Sequence, residues 1–160
     1  MAQIVSLVYQ PGRSKHEPPY HYNRIPAQSL ILIAGHGIEG DFKAGRNPKR
    51  QINVMAAEMV ETLRQEGYKA APGELGEQII IAGLDAATLS KGAVLALGDE
   101  AVIEVIAPRE PCEWFEKIQG KPLQEAEGRI GVLARVITSG RVQVGDTVRL
   151  QPLAEYEFSV

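Results

Sequence analysis

A single cysteine in 160 residues excludes an internal disulfide, so nothing in the sequence requires an oxidising compartment. Positive charge is not in excess: 17 Lys and Arg stand against 20 Asp and Glu, for a net charge of −3. A surface built for nucleic acid or anionic lipid needs a concentrated basic excess, so neither is expected as a partner. No apolar run is long enough to cross a bilayer, and no charged-then-apolar leader follows Met1. The expected location is therefore cytoplasmic. Aromatics are sparse at 6%, yet the apolar share of 44% can fill a core at the length of one ordinary domain. The 16 glycines and 10 prolines are dispersed, which suits many short elements joined by tight turns. No repeat or linker-like stretch divides the chain, and residues 1–160 read as one domain.

Hydrophobic periodicity places a strand at Ala2–Tyr9, around Ile4, Val5, Leu7 and Val8. Gln10–Arg24 has no apolar period and contains Pro11, Gly12, Pro18 and Pro19; it reads as a loop, either functional or simply solvated, carrying Arg13, Lys15, His16, His21 and Arg24. The apolar run Ser29–Ala34 suits a strand buried on both faces. It ends in Gly35-His36-Gly37-Ile38-Glu39-Gly40-Asp41, whose glycines permit positive φ and close backbone approach to a ligand. Lys43, Arg46, Lys49 and Arg50 follow, a basic loop that either holds an anion or is simply solvated.

Gln51–Val54 is a short strand, and Met55–Gly67 repeats Met55, Met59, Val60 and Leu63 at helical spacing with Gly67 as the stop. Ala70–Glu77 is turn-rich and carries Glu74 and Glu77, which can serve as acid and base, bond a ligand amide, or lie in solvent. Gln78–Ala82 is a strand, and Asp85 starts a helical turn within Leu84–Leu89. Ala93–Leu97 and Ala101–Ile106 flank the hairpin signal Gly98-Asp99-Glu100. A short helix at Glu113–Gln119 stops at Gly120, and strands at Ile130–Thr138, Arg141–Val144 and Thr147–Leu150 follow through glycine turns. The pattern predicts a mainly β protein: a closed or partly closed barrel of mostly antiparallel strands, with one clear helix and short helical turns.

The chemistry is placed at Ala107-Pro108-Arg109-Glu110-Pro111-Cys112-Glu113-Trp114-Phe115, which holds the only cysteine and the only tryptophan. A lone thiol beside an arginine is a soft metal ligand, a sulfur carrier, a nucleophile, or a small buried hydrophobe; taken alone, the segment favours the last. Arg109 and the start of the short helix would favour a thiolate at Cys112, with Glu110 and Glu113 facing away. Pro108 and Pro111 would fix the angle at which the sulfur is presented. Trp114 either packs over the pocket or lies in the core, the more common place for a tryptophan.

Four blocks, in order, carry a resemblance over nearly the whole chain: Gly37-Ile38-Glu39-Gly40-Asp41 with Ala44-Gly45, Arg50-Gln51, Pro72-Gly73-Glu74-Leu75-Gly76-Glu77, and Arg109-Glu110-Pro111-Cys112. Together they resemble the MOSC family, named for the C-terminal domain of molybdenum-cofactor sulfurases. The tail Gly131–Val136 with Val144-Gly145-Asp146-Thr147-Val148 is similar to the family's closing hairpins. The resemblance implies a strand-rich barrel, molybdenum cofactor (molybdopterin) as ligand, and Cys112 as the metal-ligating and catalytic sulfur beside Arg109. It further implies cofactor contacts from Gly37, Gly40, Asp41, Lys43, Arg46, Arg50, Glu74, Glu77 and Gln78. The chain departs from the family pattern at Lys43, where many relatives have histidine, and at Gln78, where asparagine is common.

Such members include reductases of small N-hydroxylated substrates that draw electrons from a redox partner. A second expectation is a sulfur carrier, with a persulfide on Cys112 loaded by a cysteine desulfurase. A third is a binding module without catalysis, in which Cys112 is packed in the core. The pyridoxal-phosphate domain of the sulfurases has no counterpart in this sequence.

Overall fold

The computed structural model describes residues 1–13, 18–84 and 89–152. The helical turn expected at Asp85 and the loop residues Lys15 and His16 lie outside the described residues. In chain order the first strands are β1 (Gln3–Tyr9), β2 (Ile25–Pro26), β3 (Ser29–Ile33), β4 (Gly37–Ile38) and β5 (Ile52–Ala56), followed by helix α1 (Ala57–Gln65). Then come β6 (Ile79–Ala82), β7 (Val94–Leu97), β8 (Ala101–Pro108), helix α2 (Glu113–Gln119), a 3-10 turn at Leu123–Ala126, β9 (Val132–Thr138), β10 (Gly140–Gln143) and β11 (Val148–Gln151).

These strands make an eight-stranded sheet in the order β11-β7-β8-β9-β5-β6-β1-β2 and a three-stranded sheet in the order β10-β3-β4. Among the described residues the protein is mainly β, as expected, with two α-helices in place of one clear helix and short helical turns, and the sheets do not close into a barrel. β10, which follows β9 directly, pairs with β3 in the small sheet instead of extending the large one. Gly140 permits that switch, because a Cβ there would lie 2.6 Å from the Ala101 nitrogen. The large sheet therefore keeps two edges. A bridge between Gln3 and Thr147, with Val148 N–H donating to the Ala2 carbonyl at 2.9 Å, draws β1 toward the start of β11 without completing a ladder.

Three local expectations change for physical reasons. β3 is half-buried, not buried on both faces: Leu30 and Leu32 point inward while Ile31 is 41% exposed. Met55 belongs to β5, where it pairs with Ile80, so the helix begins at Ala57. Among the described residues β5 and β6 are the only parallel neighbours, and α1 makes the crossover that parallel pairing needs. The helix stop is where the sequence puts it. Gly67 at φ 95° lets Tyr68 N–H reach the Leu63 carbonyl at 3.0 Å while Gly67 N–H takes that of Arg64 at 3.1 Å.

Two apolar clusters result. The larger, with Ile4, Leu7, Leu32, Ile52, Ile79 and Ile103, lies between the sheets. The smaller, with Met55, Leu63, Leu75, Phe115 and Ile130, packs the helices onto the other side. Phe115 is 1% exposed, and burial of such a ring contributes roughly 1.5–3 kcal/mol. It pins α2, and with it the residue three positions earlier, Cys112. No helix among the described residues is long and apolar enough to cross a membrane.

Candidate functional site

Between the end of β8 and the start of α2 the chain has four residues in which to turn, and Arg109 through Cys112 occupy them. Arg109 N–H is held by the Gly131 carbonyl at 2.9 Å, so the segment leaves the sheet at a fixed point. Cys112 is the N-cap of α2 in extended conformation (φ −124°, ψ 175°), and its carbonyl accepts the Glu116 N–H at 3.0 Å. Gln119 secures the far end of α2. Its amide donates to the carbonyls of Lys69 (3.0 Å) and Glu74 (3.1 Å), and its oxygen accepts from Lys69 N–H at 2.7 Å. With both ends fixed, the thiol of Cys112 is exposed. The packed-cysteine expectation is thereby overturned, because Phe115 and not Cys112 fills the core beneath α2.

Cys112 lies on a cavity of about 310 Å³. One wall is cationic, from Arg24, Lys43, Arg46, Arg50 and Arg109, and among the described residues Glu110 supplies the only lining carboxylate. Glu110 thus faces the cavity, contrary to expectation, and Trp114 lines it as well instead of entering the core. The ring of Trp114 meets Tyr20 edge-on at 5.6 Å, which ties α2 to the loop before β2. Five cations against one carboxylate, in a chain of net charge −3, make the cavity a local sink for anions.

Gly76 is the point on which the interior wall converges. Its carbonyl accepts hydrogen bonds from Arg24 Nη1 and, at 2.8 Å, from Asn53 Nδ2. Arg109 is 5% exposed and donates to the Leu75 carbonyl at 2.5 Å and to the Tyr22 hydroxyl at 3.1 Å. The Arg24 guanidinium sits 4.9 Å from the Tyr22 ring centre, so the phenol lies between two cations. Burial, and then the neighbouring Arg109, push the pKa of Arg24 down to about 10, and burial pushes the Tyr22 hydroxyl up. Arg24 Nε is buried with no hydrogen-bond partner among the described residues. Partial desolvation at the cavity wall lowers Lys43, with help from Arg24 and Arg50.

The floor is an amide network. Asp41 accepts from Gln10 N–H (2.6 Å), Lys43 N–H (3.0 Å) and Gln78 Nε2 (3.3 Å), and Gln78 Oε1 accepts from Asn53 N–H at 2.7 Å. Asp41 is thus a support behind the wall that aims Lys43, and it does not line the cavity.

Of the residues singled out from sequence, Cys112, Arg109, Lys43, Arg46, Arg50 and Gln78 are brought together on this cavity. Gly37, Gly40, Glu74 and Glu77 are not. Gly37 pairs with Ile33 in β4, where a Cβ would meet the Gln51 carbonyl at 3.3 Å, and Gly40 lies in the turn beyond. The Gly35–Gly40 turn has part of its backbone already committed within the fold. Gly35, His36 and Glu39 N–H are bonded to the carbonyls of Val136, Ile33 and Ile31. Glu74 accepts the Ala71 N–H at 3.0 Å. Glu77 is buried and closes its own turn, accepting from Gly73 N–H (2.7 Å) and Leu75 N–H (3.2 Å). Burial holds its carboxyl above the ordinary range. Tyr22 and Asn53 are site residues absent from the sequence expectations, and Arg24, a cation of the Gln10–Arg24 loop, belongs to the cavity wall. Asn53 had a signal, a polar residue between the buried Ile52 and Val54 in a strand, whereas Tyr22 and Arg24 had none.

Comparison with known proteins supports the same fold. The chain is 31% identical over 147 residues to the uncharacterized protein YflK of Bacillus subtilis (strain 168), covering 84% of this chain and 65% of that one. The chain thus spans just under two thirds of that relative. The crystal structure of the YuaD protein from Bacillus subtilis superposes with a TM-score of 0.75 at 22% identity, covering 92% of this chain and 94% of that one. That of YiiM from Geobacillus stearothermophilus gives 0.72 at 20% identity, over 95% and 76%. Residues 41–149, which hold every cavity-lining residue except Tyr22 and Arg24, match the MOSC domain. The chain belongs to the MOSC domain family, whose domains are linked to the molybdenum cofactor.

Proposed function

We propose that the cavity binds the molybdenum cofactor, with Cys112 as the one protein sulfur on the metal. The donor set carries this reading. Among the described residues no group of three His, Cys, Asp or Glu could hold a metal by itself. A metal that arrives with the two sulfurs of its own dithiolene needs only a further soft ligand, and an exposed thiol at a cavity edge supplies that. The cationic wall matches the cofactor's phosphate, and the unpartnered Arg24 Nε is a donor awaiting an acceptor. The residues present fit the group.

Bound molybdenum would supply two-electron transfer and accept oxygen. The chain's own residues hold and shield. Arg109, fixed by Leu75 and Tyr22, keeps a positive charge in the wall of the cavity that Cys112 also lines, and Lys43, Arg46 and Arg50 neutralise anionic groups from the open side. Trp114 supplies an apolar face beside Cys112. The reaction proposed is reduction of a small N-hydroxylated substrate. It takes two electrons from a redox partner and two protons from water, turns N–OH into N–H and releases one water.

The test is molybdenum and pterin analysis of the native protein beside Cys112→Ala, both from a host that makes the cofactor. Metal in the first and a marked loss in the second is expected; metal-free native protein refutes it. The exposure of Cys112 also supports a second reading, a sulfur carrier. There the Cys112 thiolate attacks the outer sulfur of a desulfurase persulfide and the desulfurase thiolate leaves. Intact mass after incubation with a cysteine desulfurase and cysteine should then show one added sulfur on Cys112, and none refutes this alternative.

A further inference from the structure

Charge is segregated on this protein beyond what a small anionic ligand requires. Arg13, Lys43, Arg46, Lys49 and Arg50 are all exposed; Lys43, Arg46 and Arg50 line the cavity, Lys49 lies on the same 43–50 loop, and Arg13 approaches the Phe42 ring beside it. They leave twelve Lys and Arg against twenty Asp and Glu in the rest of the chain. Two of the five, Arg13 and Lys49, do not line the cavity and so have no part in holding its contents. Arg13 is brought there by the Phe42 N–H bond to the Gln10 carbonyl at 2.7 Å. The Phe42 ring is then flanked by two guanidinium groups, Arg46 at 4.1 Å and Arg13 at 5.9 Å from its centre. Lys49 is held on the same loop by its N–H bond to Asn47 Oδ1 at 2.9 Å. Exposed arginines stacked on an aromatic ring are the composition enriched at protein interfaces. Electron-transfer encounters are small and steered by complementary charge.

We propose that Phe42 and the five surrounding cations form the docking face for a small acidic electron-transfer protein, placed so that its donor reaches the cavity beside Cys112. This rests on the reductase reading above. A nucleic acid is the weaker fit, because the remaining surface is strongly acidic and Phe42 is covered by arginines and not open to a base.

The probe is an acidic plant-type ferredoxin, with binding followed by Trp114 fluorescence or calorimetry. Wild type should bind it, with affinity falling at least tenfold between about 20 mM and about 300 mM salt. The double variant Arg13→Glu/Lys49→Glu should bind about tenfold or more weakly at low salt and keep the molybdenum and pterin content of wild type. Equal affinity of variant and wild type overturns the proposal. So does tighter binding of a single-stranded oligonucleotide than of ferredoxin. Loss of molybdenum in the double variant overturns it too, by assigning those cations to the cofactor. Metal-free wild type that still binds ferredoxin with this salt and variant dependence leaves the docking face standing and removes the cofactor reading instead.

Discussion

Gly76→Ala is the substitution to which the site should be most sensitive, and the structure gives the size of the effect. Gly76 sits at φ 84°, where an L side chain costs about 1–2 kcal/mol. Its new Cβ would lie 2.8 Å from Tyr22 Cζ and 2.9 Å from Arg109 Cζ, and would overlap Arg109 Nη2. Relieving such overpacking costs about 1–3 kcal/mol. If Arg109 swings aside it gives up the Leu75 carbonyl or the Tyr22 hydroxyl, at about 1.5–3 kcal/mol for a hydrogen bond to a charged group. These contributions overlap, so a loss of about 4 kcal/mol is expected, a large part of the 5–15 kcal/mol of an ordinary domain. Gly40→Ala is the control, because Gly40 has φ 81° and open space around its Cβ position. It should lose only the backbone part, about 1–2 kcal/mol. Urea unfolding followed by Trp114 fluorescence measures both midpoints. If Gly76→Ala is no less stable than Gly40→Ala, the convergence of Tyr22, Arg24 and Arg109 on Gly76 is wrong.

Three further outcomes are expected. Native protein should react with a thiol reagent at Cys112 as fast as denatured protein, within a few-fold, and Cys112→Ala should cost under about 1 kcal/mol; labelling that waits for denaturant contradicts this. Gln119→Ala should lose about 2–4 kcal/mol in urea unfolding, since three hydrogen bonds between α2 and the 69–74 turn disappear and leave backbone groups unpaired; a loss under about 1 kcal/mol would show that water replaces them. Burial holds the Glu77 carboxyl above its ordinary 4.5, so the native state binds that proton more tightly than the unfolded chain does. The Glu77 contribution is therefore complete below pH 4.5 and declines as pH rises through the elevated native value. Glu77→Gln should flatten that part of the curve of urea midpoint against pH, and an unchanged slope refutes the assignment.

What was legible in the sequence was local. β1, the β7–β8 hairpin, α2 and the Gly67 stop follow from periodicity and turn residues within a few positions. Met55 shows the limit. Its spacing fits the helix that follows, but pairing with Ile80 across the crossover keeps it in the strand. Sheet closure was not legible, because it depends on β10 choosing β3 over its chain neighbours, partners more than a hundred residues apart. The same distance hid the fate of the glycine-rich turn. Nothing near Gly35 says that its N–H will be taken by Val136. Arg24 looked like a loop cation because its partner, the Gly76 carbonyl, is 52 residues away.

The blocks that resemble the family look like four ligand-binding motifs, but Arg50-Gln51 lines the cavity whole, Arg109–Cys112 all but Pro111, and the 37–41 block with Ala44-Gly45 and the 72–77 block contribute no lining residue of their own. In the 37–41 block, Asp41 stands behind the wall and fixes Gln10, Lys43 and Gln78. In the 72–77 block, Glu77 closes a turn whose product is a single carbonyl, that of Gly76, pointing where Arg24 and Asn53 can reach it. The exposed groups that line the cavity, Lys43, Arg46, Arg50 and Cys112, lie on the 43–50 loop and at the start of α2. The motif residues in the first and third blocks are therefore scaffolding for side chains elsewhere. That division makes a concrete claim about mutants. Changes at Asp41, Gly76 or Glu77 should lower stability and ligand content together, whereas Lys43, Arg46, Arg50 or Cys112 variants should lower ligand content in a protein whose urea midpoint stays within about 1 kcal/mol of wild type. A stable Gly76 variant that has lost its ligand would reverse the assignment of that block.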